Sequence, residues 1–196
     1  MSRSASKSRT TKETDISISL LVDGEGNTDC ATGLPFFDHM LDQLGRHSGM
    51  DLTVHATGDL QIDAHHTVED TGILLGEVLK AALGTKVGVR RFASMRVPLD
   101  EAVVEAVLDL SGRPYLEYQI DSPGEKILGD PPFDPQLMEE FWRAIVTSAG
   151  ITLHLTLIRG RNTHHIMEAS VKAFARALRD AVRIEGTSLP STKGTL

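Results

Sequence analysis

Apolar and polar residues alternate along five stretches of the chain: Asp15 to Val22, Asp51 to Thr57, Glu101 to Leu110, Tyr115 to Ile120 and Ile151 to Ile158. A period of two predicts half-buried strands, most clearly in the last, where Ile151, Leu153, Leu155 and Leu157 share one face. Between them the period lengthens to that of a helix, over Phe36 to His47, Thr67 to Leu83, Pro135 to Ala149 and His165 to Arg183. The last of these carries Ala173, Ala177 and Ala181 at four-residue spacing. The pattern is that of an α+β protein. The stretch SPGEKILGDPPFDP, residues 122–135, is dense in Pro and Gly and predicts a linker. The expected organisation is therefore a disordered tail over 1–8, a first half over 9–121, the linker, and a second half over 136–196.

The two halves match in order. FFDHM (36–40) falls on LMEEF (137–141), which sets His39 against Glu140. HSGMDLTVH (47–55) falls on TSAGITLHL (147–155) with a one-residue slip, and HHTVED (65–70) falls on HHIMEA (164–169). Three matches in one order argue for a duplicated βα-type unit with pseudo-twofold symmetry.

Composition narrows the function. Acidic residues outnumber basic ones by 27 to 20, and no basic run is long enough to track a phosphate backbone, so nucleic acid is not an expected partner. No apolar stretch approaches the roughly 20 residues of a membrane span, and a soluble, cytoplasmic protein is expected. The single cysteine, Cys30, leaves no disulfide within one chain and fits a reducing compartment.

The chemistry lies in the repeated motif. On a helix, residues three or four apart share a face, whereas neighbours diverge by roughly 100°. Glu69 can join either His65 or His66 at one ion, but the two histidines cannot readily share it. Applied to His164, His165 and Glu168, the same geometry predicts two ions, each collecting ligands from different motifs. Imidazole and carboxylate without thiolate suit Mn, Fe, Co, Ni or Zn, and six-coordinate Mn²⁺ is favoured. His39 and Glu140 would complete the sets. Asp63 and Asp70 are expected to orient imidazoles as hydrogen-bond acceptors. His47, His55 and His154 are expected in strands or core, with His47 near the pocket. Arg91 in VGVRRF, Arg113 in SGRP, and Ser191, Thr192 and Lys193 in PSTKG supply charges and hydroxyls suited to a phosphate monoester.

Together GLPFFDHML, DAHHTVED, LDEA, SGRP, NTHHIMEA and PSTKG closely resemble the imidazoleglycerol-phosphate dehydratases of histidine biosynthesis, from about Arg9 to the C-terminus. The resemblance implies duplicated βαβ-type half-domains like domain 2 of ribosomal protein S5, each a four-stranded sheet with helices on one face. It implies a homo-oligomeric shell of 24 subunits, active sites where subunits meet, and two Mn²⁺ ions per site. Carried over, the pattern makes His39, His65, His66, Glu69, His164, His165 and Glu168 metal ligands. The sequence departs from it at Glu140, where many relatives have histidine; carboxylate is a competent Mn²⁺ ligand, and Glu140 stays in the set. Glu13, Glu69 and Glu168 are the implied catalytic carboxylates, with Glu13 as general acid/base. The substrate is expected against Glu13, His39, His47, His65, Glu69, Arg91, Arg113, His164, Lys172, Ser191, Thr192 and Lys193.

The implied reaction removes water from imidazole glycerol phosphate to give imidazole acetol phosphate. The departing proton is not adjacent to a carbonyl, so the imidazole ring must accept the developing charge, and metal binding would favour the imidazolate form that expels the hydroxyl. Two other readings remain: a dinuclear metallophosphatase, and a non-catalytic metal-binding shell.

Overall fold

The structure is a computed structural model and describes residues 2–122 and 127–196. Part of the expected linker, residues 123–126, lies outside the described residues. The first half comprises β1 (Ser4–Thr10), β2 (Thr14–Leu21), β3 (Thr28–Ala31), α1 (Pro35–Ser48), β4 (Asp51–Gly58) and α2 (His65–Leu83). The second repeats that order as β5 (Phe92–Leu99), β6 (Ala102–Asp109), β7 (Tyr115–Gln119), α3 (Leu137–Ala149), β8 (Thr152–Arg159) and α4 (Thr163–Ala181).

Each half is a four-stranded sheet, ordered β1-β2-β4-β3 and β5-β6-β8-β7, with only the β3/β4 and β7/β8 pairs parallel. The inward faces of the central strands carry Ile16, Ile18 and Leu20 on β2, and Val104, Ala106 and Leu108 on β6, all buried. Helices of each half pack on their own sheet and then against those of the other half, α1 with α4 and α2 with α3. A single core runs through both halves, with Phe37, Trp142, Phe141 and Phe174 fully buried.

Matching chemistry ends α1 and α3. Gly49 and Gly150 adopt φ of 74° and 67°, a left-handed cap that favours glycine, and each cap N–H donates to a carbonyl four residues back. The next residues then enter β4 and β8. This is the shared sense of HSGMDL and TSAGIT.

The structure corrects two boundaries. Residues 4–10 form β1, not a disordered tail. Their run of Ser, Thr, Lys and Arg shows no apolar alternation because β1 is an edge strand with most side chains exposed, held by pairing along the whole of β2. The halves meet at residues 84–91 rather than 122–135. Strands β6 and β7 pair with β8, Val107 opposite His154 and Leu116 opposite Leu153, so they belong to the second sheet. The Pro/Gly-rich stretch joins β7 to α3, where the first half has the shorter passage from Ala31 to Pro35.

Candidate metal centre

The packing of α1 on α4 brings the first ligand set together. His39 projects from the second turn of α1, and His164 and Glu168 lie one turn apart at the start of α4. Asn162 fixes that start by accepting the backbone N–H of His165. His39 Nε2 and His164 Nε2 each lie 3.0 Å from Glu168 Oε2. One ligand atom from each residue falls within 4.8 Å of the others. Neighbouring ligands on an octahedral ion, each at about 2.1 Å, are about 3 Å apart, so two nitrogens and a carboxylate oxygen fit a divalent metal here.

Glu168 is buried, and the other carboxylate oxygen takes Lys172 Nζ at 2.5 Å. Burial pushes the carboxyl up, but hydrogen bonds from Lys172, His39 and His164 outweigh it and bring its pKa down to about 2. Phe36 backs the site, edge-on to His164 and packed on Phe133. His47, one helical stretch further along α1, bonds through Nε2 to Gln43. Its pKa is lowered, first by burial and then by the positive charges of Lys172 and Arg176.

The second set is the pseudo-twofold counterpart. On α2, His65 Nε2 lies 3.5 Å from Glu69 Oε2, and α3 brings Glu140 to the same hollow, a cavity of about 430 Å³ that His65, Asp134 and Glu139 also line. This set is looser than the first. Glu140 Oε2 instead lies 3.9 Å from Arg143 Nε, and among the described residues the ligand atoms of His65, Glu69 and Glu140 do not all fall within 4.8 Å of one another.

His66 and His165 point elsewhere, as helical geometry requires. Their ring centroids stand 6.2 Å from those of His65 and His164, with planes turned by 81° and 84°. His66 Nδ1 donates to Asp59 at 3.0 Å, and His165 Nδ1 to Glu101 at 2.7 Å, which fixes each ring through Nδ1; His165 Nε2 lies 3.9 Å from Asp100 Oδ2. The bond from His165, with the backbone N–H of Asn162, lowers Glu101 to about 2. Asp59 raises His66 in turn.

These orienting carboxylates are a correction. Asp63 accepts the backbone N–H of His65, and Asp70 accepts the Thr14 hydroxyl and pairs with Arg9, so neither holds an imidazole ring. Sequence reading missed Asp59, Gln43 and the role of Glu101. The signal was the repeat itself: Glu101 sits in the β5–β6 turn as Glu13 sits in the β1–β2 turn, 4.0 Å from His66 Nδ1. His55 and His154 are strand residues but not core; His55 meets Asp29 on an exposed face, and His154 meets the exposed ring of Tyr115.

The residues expected to bind phosphate lie apart from these histidines and carboxylates. Arg91 grips Asp109 through Nε at 2.7 Å and donates to the Pro190 carbonyl at 2.7 Å. Arg113 is exposed, with Asp109 at 3.9 Å. Ser191 Oγ accepts the Lys193 N–H, and Thr192 is exposed beside them. All lie at the end of the second sheet where β5 and β8 begin, whereas His164 follows the far end of β8. Eight residues of strand span about 26 Å.

Fold and site together define a duplicated α+β protein whose halves bring His39, His164 and Glu168 to one point, a donor set that fits a metal ion. A family model described as imidazoleglycerol-phosphate dehydratase matches residues 32–178. Imidazoleglycerol-phosphate dehydratases from Anaeromyxobacter dehalogenans and Ruegeria pomeroyi are 55% and 54% identical, each over 99% of this chain and over 92% and 100% of their own lengths. The solved structure of the Staphylococcus aureus dehydratase superposes with a TM-score of 0.83 at 39% identity, covering 92% of this chain and 99% of that one. The chain belongs to the imidazoleglycerol-phosphate dehydratase family.

Proposed function

We propose that this protein dehydrates imidazole glycerol phosphate to imidazole acetol phosphate, a step of histidine biosynthesis, using two Mn²⁺ ions per site. The observation that carries the metal chemistry is the convergence of His39, His164 and Glu168 on one point from two helices. His65, Glu69 and Glu140 would hold the second ion, and His66 and His165, turned away from His65 and His164, would serve centres shared with neighbouring subunits. Bound metal supplies a Lewis acid that draws charge from the substrate imidazole.

The protein's own groups do the rest. Asp59 and Glu101 fix the tautomers of His66 and His165. Lys172 keeps Glu168 ionised, so that carboxylate is a ligand at all working pH. Glu13, exposed on its turn beside His66, would protonate the hydroxyl leaving the ring-attached carbon as water and then take the proton from the adjacent carbon; the enol so formed becomes the ketone by losing its hydroxyl proton and gaining one at the ring-attached carbon. Phosphate recognition falls to Arg113, Ser191, Thr192 and Lys193, with Arg91 bracing the C-terminal segment that carries the last three. Because this set lies a strand's length from the ligands, a complete site draws on more than one copy, consistent with a 24-subunit shell in the cytoplasm.

Neither the metallophosphatase nor the non-catalytic shell is favoured by a feature of the site. The test is Glu13→Gln. Metal content should stay unchanged while kcat falls by about 10²- to 10⁴-fold, the usual worth of a general acid/base; unchanged kcat would remove Glu13 from the chemistry.

A further inference from the structure

Away from the ligands, the C-terminal ends of α1 and α4 frame a cavity of about 450 Å³ with an unusual wall. Its charged lining is Arg3, Arg46, Arg179 and Arg183 against Asp23 and Glu25, two positive charges in excess in a chain whose net charge is −7. Arg3 is already engaged. It holds Asp23 through two guanidinium nitrogens and donates to the Val182 carbonyl, and that pairing lowers the Asp23 carboxyl. Arg46, Arg179 and Arg183 are exposed and have no ion-pair partner among the described residues.

They come from different elements: Arg46 from the last turn of α1, Arg179 from the last turn of α4, and Arg183 from just beyond it. The Arg179 guanidinium lies against Gly49, within 3.7 Å of where a Cβ there would stand, so the two helix ends are in contact. A cation in the last turn complements the helix dipole, which accounts for Arg46 and Arg179 taken singly. It does not account for Arg183, nor for four guanidiniums around one cavity. Mutual repulsion among such charges is relieved when a multivalent oxyanion enters, and guanidinium matches phosphate in charge and in fork geometry.

We propose that this cavity is a second, non-catalytic site for a phosphate oxyanion. It stands on its own residues and does not depend on the dehydratase reading. Seven residues of α1 separate Arg46 from His39, and eleven of α4 separate Arg179 from Glu168, about 10 and 16 Å of helix. The occupant binds through that excess charge and bridges the ends of α1 and α4, the two helices that carry the first ligand set.

Calorimetric titration of the metal-loaded protein with inorganic phosphate tests this, with glycerol phosphate run in parallel. One class of phosphate site per chain is expected from these arginines, and the dehydratase reading adds a second at Arg113. In Arg179→Gln/Arg183→Gln one class should weaken by about ten-fold or more, with turnover kept, since charge-assisted hydrogen bonds of ordinary strength are lost. Arg113→Gln should spare that class and weaken the other. Binding of glycerol phosphate as well would identify phosphomonoesters as occupants, and its failure to bind would identify free phosphate; either supports the site. If the double variant does not fold, Arg46→Gln on the other helix reads the same cavity. Phosphate binding unchanged in both Arg46→Gln and the double variant, or chloride binding as tightly as phosphate, would overturn the proposal.

Discussion

Glu168 shows how much one side chain is asked to do. One oxygen meets His39 and His164, and the other meets Lys172. Its pKa, about 2 in the fold, lies below the ordinary carboxylate value of 4.5. The stability it contributes is therefore fully present above pH 4.5 and lost as pH falls through about 2. Metal-free protein should lose more stability between pH 4.5 and 2.5 than metal-free Glu168→Gln, as measured by urea unfolding at each pH; parallel losses would mean that the Lys172 and histidine bonds do not hold the carboxyl down. Of the eight positions expected as ligands, His39, His164 and Glu168 converge on one point, and that part was legible because helical spacing sets His164 and Glu168 on one face and the repeat pointed to His39 on the preceding helix. The carboxylates that aim His66 and His165 were not. Asp59 reaches His66 from the segment between β4 and α2, and Glu101 reaches His165 from the β5–β6 turn to the start of α4, contacts that no local period records.

Among the elements, the helix pairs matter most, because each ligand set straddles one. The α2–α3 pair is close-packed through glycine: a Cβ at Gly76 would come within 2.7 Å of the Ile145 carbonyl oxygen, and one at Gly72 within 2.9 Å of that of Phe141. Backbone atoms cannot yield as a side-chain tip does. Gly76→Ala should destabilise the fold by about 1–3 kcal/mol and move Glu140 away from His65, so that the second metal binds more weakly than the first. Denaturant unfolding and metal titration read the two effects; an unchanged midpoint would show that the helices have slack. Every helix and the central strands were legible from their periods, and every expected helix is present within a few residues. Three strands escaped: β1 lacks alternation, β3 has only four residues, and β5 alternates with Pro98 in it. The misplaced boundary has a similar cause. Pro and Gly mark a change of direction, and that between β7 and α3 lies within a repeat.

At the scale of the molecule, duplication places the two histidine motifs at equivalent helix starts, and sheet geometry keeps the residues proposed to bind phosphate about a strand's length from His164. His66 and His165, turned away from His65 and His164, are the other reason for proposing a composite site. Glu168→Gln and Arg113→Gln, each defective alone, should recover part of their activity when unfolded together and reassembled, because some sites then receive both intact groups. No recovery in mixed assemblies would place the whole site within one chain. The most direct test of the account is turnover of imidazole glycerol phosphate by protein stripped with EDTA and then resupplied with Mn²⁺, following the ketone product and free phosphate together. The account predicts ketone that appears only with metal and no phosphate release; phosphate release, or no ketone with the metal restored, would contradict it.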